Sequence, residues 1–156
     1  MQLFLMRHGE AEHHARSDRE RSLTESGTYN SGMMSEWLKN SVAEFDLVLV
    51  SPYLRAMQTW KEVSSHFPVP HKVKVLDELV PAADPDMASR LVLAYAEQFK
   101  AQNVLVVSHM PLLGYMVSEF VPGMEPPLFA TSAVALVDLM GKHASLMWQQ
   151  SPHSIA

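Results

Sequence analysis

Leu3-Phe4-Leu5-Met6 runs without a polar interruption into Arg7-His8-Gly9, and the arrangement recurs twice. Leu47-Val48-Leu49-Val50 leads into Ser51-Pro52, and Val104-Leu105-Val106-Val107 into Ser108-His109-Met110-Pro111. Apolar runs that do not alternate with polar residues are strands covered on both faces, as in parallel sheets packed between helices. Helical spacing fills the intervals. Tyr29, Met33, Met34, Trp37 and Leu38 form one stripe, and Leu54, Met57, Trp60 and Val63 a second. Leu91, Ala94, Tyr95 and Phe99 form a third, and Leu112, Leu113, Met116, Val117 and Phe120 a fourth. Lys72-Val73-Lys74-Val75-Leu76 alternates and predicts a strand nearer an edge. Residues 133–139 and 145–148 predict a hairpin about Met140-Gly141-Lys142-His143. Strands alternating with helices predict an α/β fold, a three-layer sandwich with a mostly parallel central sheet and helices on both faces.

The chain has 156 residues, enough for one domain that buries about two thirds of its unfolded surface. No repeat, low-complexity stretch or linker interrupts it, so residues 1–156 read as a single domain, with Pro68, Pro70, Pro81 and Pro85 as loop punctuation. Cysteine is absent, which excludes disulfides, thiolate metal sites, iron–sulfur clusters and cysteine nucleophiles. A net charge of −5 argues against a broad nucleic-acid surface but not against a local cationic pocket. The apolar start is too short for a signal-peptide core, and no later run reaches membrane-spanning length. A cytoplasmic protein with no membrane attachment is therefore expected. No apolar seam suggests an obligate dimer, and a monomer is expected.

Each unalternating strand ends in a polar cluster, and ligands of open α/β sheets bind at the carboxyl ends of strands. Pro52 and Pro111 mark helix starts, where free N–H groups favour an anion, and Arg55 lies in the first turn after Ser51-Pro52. Arg7, His8, Arg55 and His109 should therefore share one crevice. Guanidiniums offer forked donors to phosphate oxygens, and the imidazoles can serve as nucleophile, acid or further donor. No Gly-x-x-x-x-Gly-Lys loop is present, so a P-loop nucleotide site is excluded. Arginines repel a cation, which makes the cluster a poor metal site. Phosphoryl transfer through a phosphorylated histidine fits this set. His13-His14 lack partners at ligand spacing and read as exposed loop. Arg16 and Arg19, interleaved with Glu10, Glu12, Asp18 and Glu20, read as a salt-bridged surface.

Met6-Arg7-His8-Gly9-Glu10, Ser51-Pro52-Tyr53-Leu54-Arg55-Ala56-Met57-Gln58-Thr59 and the strand-terminal Ser108-His109, in that order, resemble the histidine phosphatase superfamily, which includes the phosphoglycerate mutases. The likeness is to a small branch that acts on phosphohistidine, and it runs over essentially the whole chain. Arg21-Ser22-Leu23-Thr24-Glu25-Ser26-Gly27 follows that branch's Arg-Pro-Leu-Thr-x-x-Gly, with Ser22 in place of proline. Pro111-Leu112-Leu113-Gly114-Tyr115, Pro126-Pro127 and Thr131-Ser132-Ala133 also sit as in that branch. The resemblance implies that His8 is the nucleophile and becomes transiently phosphorylated. It implies that Arg7, Arg55 and His109 surround the phosphoryl oxygens, with Arg21 a further contact at the mouth. It also implies a metal-independent protein phosphohistidine hydrolase without cofactors. The implied partner is the phosphorylated histidine phosphotransfer (HPt) domain of a sensor kinase in two-component signalling.

Larger members of the family carry a long capping segment between the strands near Val75 and Val104, where this chain holds about one helix. A minimal cap leaves the site open, which suits a phosphohistidine on a protein better than a small sugar phosphate. Relatives that cleave phosphate esters use a carboxyl acid, and Glu78 is the candidate here. Two other functions remain open on these residues: a small-molecule or phosphoserine/threonine phosphatase, and a non-catalytic module that binds phosphorylated partners.

Overall fold

The three unalternating runs become three of the four inner strands of one six-stranded sheet in the computed structural model, which describes all 156 residues. Strands β1 (Gln2–Arg7), β2 (Leu47–Val50), β3 (Lys72–Val75) and β4 (Asn103–Ser108) are parallel. Strands β5 (Val134–Met140) and β6 (His143–Gln150) are antiparallel additions beside β1, giving the order β3-β2-β4-β1-β5-β6. Residues 3–6, 47–50 and 104–107 are wholly buried, because helices cover both faces. The alternating segment β3 is the exposed edge.

Side-chain alternation along the strands divides the interior into two cores. Leu3, Leu5, Leu47, Leu49, Val104 and Val106 pack with α3 (Pro85–Gln98) and α4 (Leu112–Phe120). Phe4, Met6, Val48, Val50, Leu105 and Val107 pack with α1 (Glu25–Leu38) and α2 (Leu54–Ser64). The short α5 (Pro152–Ile155) brings Ile155 to the second core. Thr24 caps α1 by accepting the Gly27 N–H, and Asp84 caps α3 with Pro85 in its first turn. No helix is long and apolar enough to cross a membrane.

Three of the four helical stripes are phased differently from the sequence expectation. Helix α1 turns Gly27, Ser31, Met34, Ser35 and Leu38 inward, while Tyr29, Met33 and Trp37 line a surface groove of about 620 Å³. Helix α2 buries Arg55, Ala56, Thr59 and Val63 and leaves Leu54 exposed. Helix α3 buries Ala88, Ser89, Val92 and Ala96 rather than Leu91, Ala94 and Tyr95. On each helix the inward face includes small residues that carry little hydrophobic signal: Gly27, Ser31 and Ser35 on α1, Ala56 and Thr59 on α2, and Ala88, Ser89 and Ala96 on α3. Only α4 buries its whole expected stripe. In the hairpin the first strand is shifted one residue on from the expected 133–139 and the second extends beyond 145–148 at both ends, leaving Gly141-Lys142 as a two-residue turn. Gly141 takes a φ of 59°, the positive angle such a turn asks of its first residue. Between β3 and β4 stand only a 3-10 turn (Asp77–Leu79) and α3, as the minimal cap requires.

Candidate active site

Parallel register brings the polar clusters to one level. Arg7 pairs with Ser108, and Val50 with Val107, so His8, Ser51 and His109 each stand one residue beyond a strand end. The ladder continues through them: His8 N–H donates to the Ser108 carbonyl at 3.0 Å and Ser51 N–H to that of Val107 at 3.0 Å. Gly9 then lets the chain pass under α1. A Cβ there would stand 2.7 Å from the Gly27 carbonyl oxygen, and one on Gly27 would stand 2.1 Å from that of Glu10. The two glycines thus allow backbone to press on backbone. Thr59 Oγ1 accepts the Gly9 N–H at 3.0 Å, and Gln58 accepts the Leu23 N–H at 2.7 Å, tying α2 to both segments.

Around His8 the chain gathers the buried Arg55 and the half-buried Arg7 and Arg21. His8 Nδ1 lies 2.7 Å from its neighbour's carbonyl at Gly9, so it carries the proton and donates it there. That leaves the Nε2 lone pair as an acceptor, and Arg55 Nε donates to it at 3.3 Å. Burial lowers the His8 pKa to about 4, and Arg55, Arg7 and Arg21 push the same way against the Gly9 hydrogen bond. The imidazole is therefore neutral at neutral pH. Arg7 donates from Nη1 to the Phe129 carbonyl at 2.8 Å, while its buried Nε has no partner. Burial first, and Arg55 second, draws the Arg7 guanidinium below its ordinary value. His109 packs ring to ring with His8 at 5.0 Å and edge-on to Tyr53 at 5.1 Å. Its Nε2 lies 2.7 Å from Ser51 Oγ, and its buried Nδ1 has no partner. Burial, then His8 and Arg55, lowers its pKa to about 2. The unpartnered Arg7 Nε–H and the unpartnered His109 Nδ1, gathered with Arg55 around His8, suit a small oxyanion.

The model of the histidine phosphatase superfamily (branch 1) matches residues 3–80. The phosphohistidine phosphatase SixA of Escherichia coli (strain K12) is 45% identical over 153 residues, 97% of this chain and 94% of that protein. The chain belongs to the histidine phosphatase superfamily, branch 1. A SixA homologue from Haemophilus influenzae is 35% identical over 161 residues, 97% of each chain. The structure of the protein histidine phosphatase SixA complexed with tungstate superposes with a TM-score of 0.94 at 43% identity over 100% of both chains. The chain is thus a phosphatase, and its α/β architecture is that of these relatives.

The phosphatase brings Arg7, His8, Arg21 and Arg55 to one cavity of about 620 Å³, with His109 beneath them at 1% exposure. Arg21 reaches it from the loop before α1, donating from Nε to the Glu12 carbonyl at 2.7 Å. Serine at position 22 leaves that loop anchored, since the Ser22 carbonyl accepts the Glu12 N–H and Ala11 bridges Leu23. Glu78 stands half-buried on the 3-10 turn after β3, where Ser108 Oγ donates to the next residue's carbonyl, Leu79, at 2.7 Å; it is not among the residues lining this cavity, whose carboxylates are Glu10 and Glu12. Sequence reasoning also missed Asp18 and His13. Asp18 bridges Arg21 at 3.0 Å and Arg55 at 3.2 Å, and its carbonyl takes Arg55 Nη1 at 2.7 Å. The Arg21 hydrogen bond leads in holding its carboxyl below the ordinary range. Asp18, one of the acidic residues expected beside Arg16 and Arg19, thus pairs instead with Arg21 and Arg55, neither Arg16 nor Arg19 forms an ion pair, and Arg19 lies over Tyr53 at 5.7 Å. His13 is exposed, yet it lines the mouth. Only the Asp18-x-x-Arg21 spacing could have flagged the bridge.

Proposed function

We propose that the phosphatase hydrolyses a phosphohistidine carried by a protein, the phosphotransfer (HPt) domain of a sensor kinase, through a covalent intermediate on His8. The observation that carries this reading is the neutral, Gly9-held His8, whose Nε2 lone pair faces Arg55 in a cavity lined by Arg7 and Arg21. The similarity to SixA supports the substrate, and its tungstate complex shows that protein holding a tetrahedral oxyanion.

Nε2 of His8 attacks phosphorus, a P–N bond forms, and the bond to the substrate's imidazole nitrogen breaks. An imidazole has a pKa of about 6.5, so the leaving nitrogen is readily protonated near neutrality and departs as neutral imidazole. Arg7, Arg55 and Arg21 stabilise the charge on the equatorial oxygens. Water then attacks the phosphorus on His8, releases phosphate and returns the Nε2 lone pair. No step requires Glu78. The minimal cap between β3 and β4 leaves room for the protein that carries the substrate.

One observation favours ester chemistry instead: Glu10 and Glu12 line the cavity and offer a leaving alkoxide a proton. Turnover decides between the two. Purified enzyme should dephosphorylate phosphorylated HPt domains much faster than sugar phosphates or phosphoserine peptides, and the reverse ranking would sink the phosphohistidine reading. Acid-labile phosphate should be trapped on His8 and absent from His8→Ala, which should fold and lose turnover. A variant active at near wild-type rates would rule out His8 as nucleophile, and binding without turnover would leave a phospho-binding module.

A further inference from the structure

We infer that Ser51 is a positioning residue that fixes His109 as the Nδ1–H tautomer, so that the second histidine presents a hydrogen-bond donor to the transferring phosphoryl group. The inference rests on the phosphoryl site proposed above and assigns a role to a residue that touches no substrate.

Ser51 is wholly buried, and its hydroxyl has one proton and two lone pairs. Tyr53 N–H donates to Ser51 Oγ at 3.2 Å and takes one lone pair. The hydroxyl proton has one acceptor within reach, His109 Nε2 at 2.7 Å. If Nε2 carried a proton, it would donate to Oγ and leave the serine proton without an acceptor, a costly state for a buried hydroxyl. With Ser51 donating, Nε2 is the bare nitrogen and the proton sits on Nδ1.

The other end of the ring leads to the same assignment. Nδ1 is buried without a partner, and the ring packs against His8. Phosphoryl oxygens are acceptors only, so a bare Nδ1 would repel them while Nδ1–H would bind them. The ring need not become cationic to do this, which suits its place among Arg7, Arg55 and the His8 ring. The chain Tyr53 N–H to Ser51 to His109 to phosphoryl oxygen runs in one donor direction. It begins at the backbone of the residue that caps α2, the helix that also supplies Arg55.

Long-range 1H–15N correlation of the imidazole nitrogens reads the tautomer directly and needs no turnover. In the wild type at pH 7, the His109 signals should be those of neutral Nδ1–H, and an Nε2–H pattern would overturn the inference. In Ser51→Ala the pattern should shift toward a tautomer mixture. With any accepted phosphate substrate, kcat should fall about tenfold or more while KM moves less than about threefold, because the donor matters most as charge builds on the oxygens. An unchanged kcat would overturn it as well. A phosphatase that ignores phosphohistidine but keeps the Nδ1–H signature would refute the proposed substrate and leave this assignment standing.

Discussion

His8 must be neutral to attack, and burial among arginines makes it so at a cost that pH reveals. Its pKa is about 4 in the folded protein against an ordinary 6.5. Below about 6.5 the unfolded chain takes up a proton that the folded protein refuses, and stability falls wherever the unfolded state binds more protons. This contribution is fully present above about 6.5 and is lost progressively as pH drops towards 4. The loss assignable to His8 is about 3 kcal/mol, because each tenfold drop in proton affinity corresponds to about 1.4 kcal/mol. His109 pushes the same way and continues lower, since its pKa is about 2. Urea unfolding between pH 7.5 and 4.5 should therefore show a steep loss of stability in the wild type and a shallower one in His8→Ala. Parallel curves for the two proteins would mean that the buried His8 carries no such penalty.

At the scale of elements, the joint between the β1 loop and α1 makes two glycines of one helix behave in opposite ways. A Cβ on Gly27 would meet the Glu10 backbone at 2.1 Å, whereas one on Gly32 meets nothing nearer than a Glu62 carboxylate oxygen at 3.7 Å. Gly27→Ala should destabilise by about 1–3 kcal/mol through overpacking and should also lower turnover, because the displaced segment follows His8 directly. Gly32→Ala should stabilise by about 0.5–1 kcal/mol through helix propensity alone. Calorimetry on the pair checks the signs, and a loss in both would refute the contact argument. The Gly9 and Gly27 motifs were visible in the sequence, but their mutual contact was not, since it joins residues far apart in the chain. The strands were legible because burial on both faces leaves an unbroken apolar run. Helices α1, α2 and α3 were misphased because close approach to the sheet selects small residues, such as Ser31 and Ala88, which carry little hydrophobic signal. The larger Tyr29 and Trp37 suggested the wrong face.

Over the whole molecule, the cationic cluster was legible because parallel register carries three strand ends to one place, and the net charge of −5 conceals it. The Asp18 pairing with Arg55 was not legible, since it depends on a loop whose course no periodicity records. What the sheet makes of these pieces is a single mechanical unit. Strands β1, β2 and β4 send alternate residues into both cores, so neither core should unfold alone. Trp37, Trp60 and Trp148 all pack on the core of α1 and α2, so tryptophan fluorescence reports that layer while far-UV circular dichroism reports every helix. The two thermal transitions should coincide. The cavity gathers residues from position 7 to position 131, so an oxyanion bound there ties distant segments together. Tungstate at about 100 times its dissociation constant should stabilise the fold by about 2.7 kcal/mol and move both transitions upward by the same increment. Arg55→Ala should abolish that shift. Separate transitions, or a tungstate shift seen by one probe alone, would show that the two layers unfold independently and that the anion site belongs to only one of them.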